Sequence, residues 1–95
     1  MILDEFTSLV GHDFTVDCIP DPITVRLTEA SSLRPNGATG RPPFILVFRS
    51  DPDVLLLAGS YRMQAEGFGP DLIHLSDMAP PPNAEAGYSY QAVFN

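Results

Sequence analysis

Apolar and polar residues alternate along most of this chain, in runs that return about six times with turn signals between them. A period of two places successive side chains on opposite faces, which is the signature of a strand with one buried face. The clearest run is the last, Tyr88 to Asn95. It puts Tyr88, Tyr90, Ala92 and Phe94 on one face and Ser89, Gln91 and Asn95 on the other. A strand running to the C-terminus leads to the expectation of a domain without a tail for signalling or tethering. Phe14-Thr15-Val16-Asp17-Cys18-Ile19 and Ile23-Thr24-Val25-Arg26-Leu27-Thr28 alternate in the same way, separated by Pro20-Asp21-Pro22. Two such runs joined by a short connection predict a hairpin. Phe44-Ile45-Leu46-Val47-Phe48 is apolar on both faces and reads as a central, doubly covered strand.

One segment has a different period. Leu3, Phe6, Leu9 and Val10 form a single stripe at helical spacing, with Asp4, Glu5, Thr7 and Ser8 off it. Acids in the first turn suit the helix dipole, and Gly11 is a natural stop. Two turns cannot stand alone, so this helix is expected to cover an open end or edge of the sheet. The elements predicted are a helix at 3–10 and strands at 13–19, 23–30, 43–50, 54–66, 71–77 and 88–95, with Gly59 marking a bulge in the fourth strand. Gly67-Phe68-Gly69-Pro70 reads as a turn. The proline-rich stretches at 34–43 and 79–87 read as loops, because neither can be helix or inner strand.

These elements predict one domain, mainly β. We expect an antiparallel meander forming a β-barrel or β-roll of about six strands, with one short N-terminal helix. Phe6, Leu9, Phe14, Val16, Val25, Leu27, Phe44, Leu46, Phe48, Leu57, Tyr61, Met63, Leu75, Tyr90, Ala92 and Phe94 are the expected core, and Ile73 is expected to point inward as well.

Length and charge narrow the function classes. Ninety-five residues suffice for one core and leave no room for a second. Net charge is −7, from twelve acids against five arginines and no lysine, so neither nucleic acid nor an anionic membrane is an expected partner. A lone cysteine excludes an internal disulfide and requires no oxidising compartment. The N-terminus lacks the basic and apolar regions of a signal peptide, and no apolar run approaches the roughly 20 residues of a membrane span. A soluble, cytoplasmic protein is expected.

Candidate chemistry is thin. His12, His74 and Cys18 have neither the number nor the spacing of a zinc site, and Cys18 lies on the inferred core face. Nothing flanking Cys18 marks an activated thiol beside a histidine base. Ser60 lacks the Gly-x-Ser-x-Gly elbow of a serine hydrolase. Asp51 and Asp53 flank Pro52 and fit a turn better than a cation loop. No cofactor, metal or catalytic residue is expected. Candidate interaction residues are Phe68, Arg26, Arg49 and Arg62. The three arginines lie on strands, could share an outer face, and could ladder with Asp17, Glu29 and Glu66 or receive a carboxylate or phosphate. Phe68, between two glycines, is either an exposed interface anchor or a cap folded over a barrel mouth.

Four stretches carry a family resemblance. They are Phe6-x-x-Leu9-Val10-Gly11-x-x-Phe14, Pro43-Phe44-x-Leu46-x-Phe48-x-x-x-Pro52, Gly59-x-Tyr61-x-Met63 and Tyr90-x-Ala92-Val93-Phe94-Asn95. In these, and in their order, the chain resembles a family of small bacterial proteins classed as a domain of unknown function, DUF6916. The resemblance spans essentially the whole chain. It implies no established activity and offers no catalytic residues to carry over. It implies an accessory or assembly role beside phage-tail-like or tail-collar-type proteins.

Two functions from different classes remain open. One is a non-catalytic structural or protein-interaction module, binding through loop tips or an edge strand, with a homodimer through that edge expected. The other is a small-ligand binder or enzyme with a site in the barrel mouth, built from Tyr61, Tyr88, Tyr90, His74 and an arginine. A concave pocket with convergent polar groups would favour the second, and a filled core the first.

Overall fold

In the computed structural model, which describes residues 2–33 and 43–94, every alternating run becomes a strand. The strands are β1 (Asp13–Val16), β2 (Ile23–Ser32), β3 (Phe44–Ser50), β4 (Gly59–Ala65), β5 (Phe68–Met78) and β6 (Tyr88–Phe94), preceded by α1 (Asp4–Thr7). They close into an antiparallel barrel in the order β1-β2-β3-β6-β5-β4. Most of the expected loop at 34–43, together with Asn95 of the expected last strand, lies outside the described residues.

The order departs from the meander expected from sequence. β6 inserts between β3 and β5, pairing with β3 along its whole length from Phe44↔Phe94 to Ser50↔Tyr88. β4 instead lies beside β1, through Thr15↔Gln64 and Val16↔Met63. The segment 51–58 therefore crosses one end of the barrel to carry the chain from β3 to β4. Sequence reading places a strand over 54–57. That stretch makes no ladder, because it spans the barrel end instead of lying in its wall.

The barrel has two closed ends. At one, the α1 side chain Phe6 is buried against Phe68, Phe44 and Phe94, with ring centroids 4.9, 5.9 and 6.0 Å away. Phe44 and Phe94 stack at 4.6 Å. At the other end Leu56, 4% exposed, fills the mouth. Phe14 lies edge-on to Phe48 between them, at 5.2 Å. Val16, Val25, Leu27, Leu46, Met63, Ile73, Leu75 and Ala92 complete a continuous apolar interior.

The helix covers an end of the barrel as its stripe requires, but it spans only Asp4–Thr7. Beyond it the backbone makes separate turns: Leu9 N–H donates to the Phe6 carbonyl, and His12 N–H to the Leu9 carbonyl, both at 2.9 Å. Gly11, at φ 89°, turns its N–H to the Leu27 carbonyl of β2 at 2.7 Å, so it docks the connection onto the sheet and does not cap a helix. Leu3 and Leu9 are half-buried, and Val10 is exposed.

Several further positions depart from strict alternation. β2 bulges at Thr28, between Leu27↔Phe48 and Glu29↔Val47, and the Thr28 hydroxyl donates to the Val47 carbonyl at 3.2 Å. β4 and β5 shift register between Met63↔Asp71 and Ala65↔Phe68, so the bulge falls there and not at Gly59. Leu57 of the expected core is 73% exposed, because Leu56 takes the inward place. Tyr88, expected inward, is also exposed, whereas Ser89, expected outward, is buried beneath the β5–β6 connection. Tyr61 and Phe94 are partly buried at the core boundary.

Candidate functional site

The barrel mouth is occupied by the protein's own chain. The Tyr90 hydroxyl accepts from the Leu56 N–H at 3.0 Å and lies 3.1 Å from Ser50 Oγ. Ser50 Oγ donates to the Val54 carbonyl at 2.9 Å. Tyr61 donates to the Leu57 carbonyl at 2.6 Å. Two tyrosines that could have read a ligand thus hold segment 51–58 across the opening. His74 projects outward beside Ser60, its cross-strand partner, with Nδ1 and Oγ 3.4 Å apart. Tyr88 is on the surface. The residues of the expected mouth site are not convergent.

The arginines separate into two outer clefts. Arg26 and Arg49 stand directly opposite each other across β2 and β3. They line a cleft of about 430 Å³ with Asp13, Thr28, Asp51 and Glu85. Arg62 is elsewhere, in a cleft of about 280 Å³ with Thr15, Asp17, Gln64 and Pro70. The three do not share one site, because β1 lies between β2 and β4. The partners differ from those expected as well. Arg26 Nε pairs with Asp13 at 3.3 Å, while Glu29 accepts from the Ser31 hydroxyl at 3.0 Å.

Arg49 has a structural task. Its guanidinium donates to Ser89 Oγ and to the Glu85 carbonyl. It fastens the β5–β6 connection onto the outer face of β3, which explains why Ser89 is buried. Gly87 makes that close approach feasible. Its φ is 146°, and a Cβ there would run into the Ser50 carbonyl. Two arginines side by side repel, and exposed Arg26 gains little from its exposed acid. The mixed-sign cleft therefore offers polar contact and no reactive group.

Of the two readings open for Phe68, the structure takes the cap over the interior and not the exposed anchor. Phe68 is 7% exposed and packs on Phe6 and on Phe14, so it caps the interior and anchors no interface. The turn lies one residue earlier, at Glu66-Gly67, where Gly67 takes φ 83°. Phe68 thus becomes the first residue of β5. The bulge then changes parity, so that Phe68 faces the same interior as Ile73 and Leu75. Gly69 sits in this bulge with its α-carbon against the Met63 carbonyl, where no side chain fits.

Other candidates resolve to structure. Val54 N–H donates to the Asp51 carbonyl at 3.1 Å, closing a turn with Pro52 at its second position, as the Asp-Pro-Asp pattern predicts. Burial, helped by the Asp17 charge, pushes the Cys18 thiol above its ordinary pKa. That is the wrong direction for a nucleophile at neutral pH. Burial also raises the Tyr61 phenol, with Cys18 close enough to contribute. Among the described residues no three His, Cys, Asp or Glu side chains gather as a metal site would require. No helix among them is long and apolar enough to cross a membrane.

A family model described as Domain of unknown function (DUF6916) matches residues 1–94. No curated protein and no solved structure matches the chain.

Proposed function

We propose, from the premise that this chain belongs to the DUF6916 family, that it is a non-catalytic protein-interaction module working in the cytoplasm. The supporting observation is the filled interior. Side chains occupy the barrel throughout, Phe6 and Leu56 close its two ends, and the hydroxyls of Tyr61 and Tyr90 are spent on backbone groups of segment 51–58. A ligand pocket needs concavity with convergent free polar groups, and among the described residues the tyrosine hydroxyls at the Leu56 mouth are engaged by the chain itself. An accessory role in a phage-tail-like or other bacterial assembly suits a small rigid domain that acts through its surface. Closure gives every strand two neighbours, which favours docking through loops over the edge-strand homodimer expected from sequence.

The test is co-expression of the tagged chain with its chromosomal neighbours, affinity capture, and reconstitution with the purified partner. One partner at fixed stoichiometry is expected. Absence of any reconstituted complex, together with a metabolite that raises the unfolding temperature by several degrees, overturns the reading in favour of a ligand-binding protein.

A further inference from the structure

We propose that the three connections at the Leu56 end of the barrel form the docking face, and that its partner is a protein presenting an apolar patch ringed by lysine or arginine. This rests on the interaction-module reading and adds where the partner sits and what its chemistry is.

The antiparallel order brings segments 17–22, 51–58 and 79–87 to the same end, since β1, β3 and β5 finish there and β2, β4 and β6 begin there. Their contents share one character. Asp17, Asp21, Asp51, Asp53 and Glu85 supply five acids, and the three segments hold no base of their own. Arg26, already paired with Asp13, and Arg49 line the cleft beside Asp51 and Glu85, and Arg62 the one beside Asp17, so five acids face two further arginines and the end stays net acidic. Three large aliphatic side chains project from this acidic ground: Ile19 at 97% exposure, Leu57 at 73% and Leu55 at 57%. Scattered apolar residues on a surface are ordinary, and the opposite end exposes Ile2, Val10, Leu33 and Val93. Ile19 and Leu57, however, are the two most exposed large apolar side chains among the described residues, and with a charged surround they have the anatomy of an interface.

Two features hold these side chains ready. Tyr90 holds the backbone at Leu56 through its N–H, and there Leu56 is buried while Leu55 and Leu57 on either side are exposed. The Tyr61 hydroxyl of β4 donates to the Leu57 carbonyl, which fixes the crossing segment at Leu57 to the barrel wall. The segments also contain six prolines, which lower the ordering cost of binding.

Charge decides the occupant. A second copy would set one net-acidic end against another, and an anionic lipid surface would be repelled in the same way. A protein with a basic rim gains both steering and contact, and its apolar centre covers the three aliphatic side chains.

The experiment introduces a photoreactive benzophenone amino acid in place of Ile19, Leu57, Val10 or Leu72, one at a time, in the full chain expressed with its chromosomal neighbours. Crosslinks from positions 19 and 57, and not from 10 and 72, to one protein through a Lys/Arg-bearing peptide are expected. The purified crosslinked protein then serves as the titrant. Ile19→Ser with Leu57→Ser, and separately Asp51→Asn with Asp53→Asn, should each weaken its binding at least tenfold at an unchanged unfolding midpoint. Crosslinks from 10 or 72 alone overturn the docking face while leaving the interaction reading intact. A crosslink to a second copy, or to an acidic peptide, overturns the assigned partner. No crosslink from any of the four positions overturns both readings.

Discussion

Tyr90→Phe isolates the bond that closes the barrel. The ring is 1% exposed and keeps its packing in the variant, so no cavity forms. Only the hydroxyl is lost. Ser50 Oγ retains the Val54 carbonyl as a partner at 2.9 Å. The Leu56 N–H does not fare as well, because the Tyr90 hydroxyl is its acceptor and Leu56 is 4% exposed. A buried donor left unpaired costs about 1–3 kcal/mol, which exceeds the ~1 kcal/mol net value of an ordinary hydrogen bond. Relief is available if segment 51–58 lifts and lets water reach the N–H, but that exposes Leu56 and forfeits its burial, worth about 1.5–3 kcal/mol. Either route predicts a loss near 2 kcal/mol. For a domain of this size that is a drop of roughly 8–16 °C in unfolding midpoint. Urea denaturation with an unchanged m-value should report the loss, and amide exchange should report its place. Leu56 N–H exchange should accelerate more than that of Leu46 in β3. A loss under about 0.5 kcal/mol with Leu56 still protected would show that the hydroxyl does not hold the crossing segment, and the closed-mouth argument would fail with it.

Four other perturbations test separate parts of the structure. Leu46→Ala, at a fully buried position of central β3, should cost about 2–5 kcal/mol by denaturation; a loss near zero refutes its central place. Gly87→Ala should cost at least about 1–3 kcal/mol, since φ 146° and the Ser50 carbonyl both oppose a side chain, and a neutral outcome would show that the β5–β6 connection is not pressed onto β3. Arg49→Met should cost about 1–3 kcal/mol by losing both contacts to the β5–β6 connection, whereas Arg26→Met should cost under about 1 kcal/mol; equal losses would contradict the different tasks assigned to the two residues. Cys18 should alkylate more slowly at neutral pH than a free cysteine, because a raised pKa favours the neutral thiol, and the rate should rise only above the ordinary thiol range. An inflection at or below about pH 8.5 would reverse that sign.

The fold class was legible because the alternation is local. Phe14 and Val16, Val25 and Leu27, Phe44, Leu46 and Phe48, and Tyr90 and Ala92 each announce a buried face within a few residues, and all are buried. The unbroken run at β3 announces a strand with partners on both sides, and β2 and β6 supply them. The candidate site was less legible. Asp-Pro-Asp gave its own turn, but nothing near Phe68 shows that the turn closes at Gly67. The consequence, a buried ring in place of an exposed anchor, depends on a register shift against β4. Arg49 reads as one more outward arginine until the β5–β6 connection is seen lying across it.

What the sequence by itself determined is which stretches are strands, where most of them turn, and that the surface is acidic. Those properties depend on neighbours along the chain, where steric preference and burial pattern repeat every second residue. What only the tertiary structure decided is the strand order, the crossing of segment 51–58 and the choice of Leu56 over Leu57. Four apolar residues in a row carry no period, so their facing is set by a distant acceptor, the Tyr90 hydroxyl. The insertion of β6 between β3 and β5 likewise satisfies ladder hydrogen bonds between residues 38 to 50 apart in sequence, from Ser50↔Tyr88 to Phe44↔Phe94, a long-range pairing that no local pattern encodes.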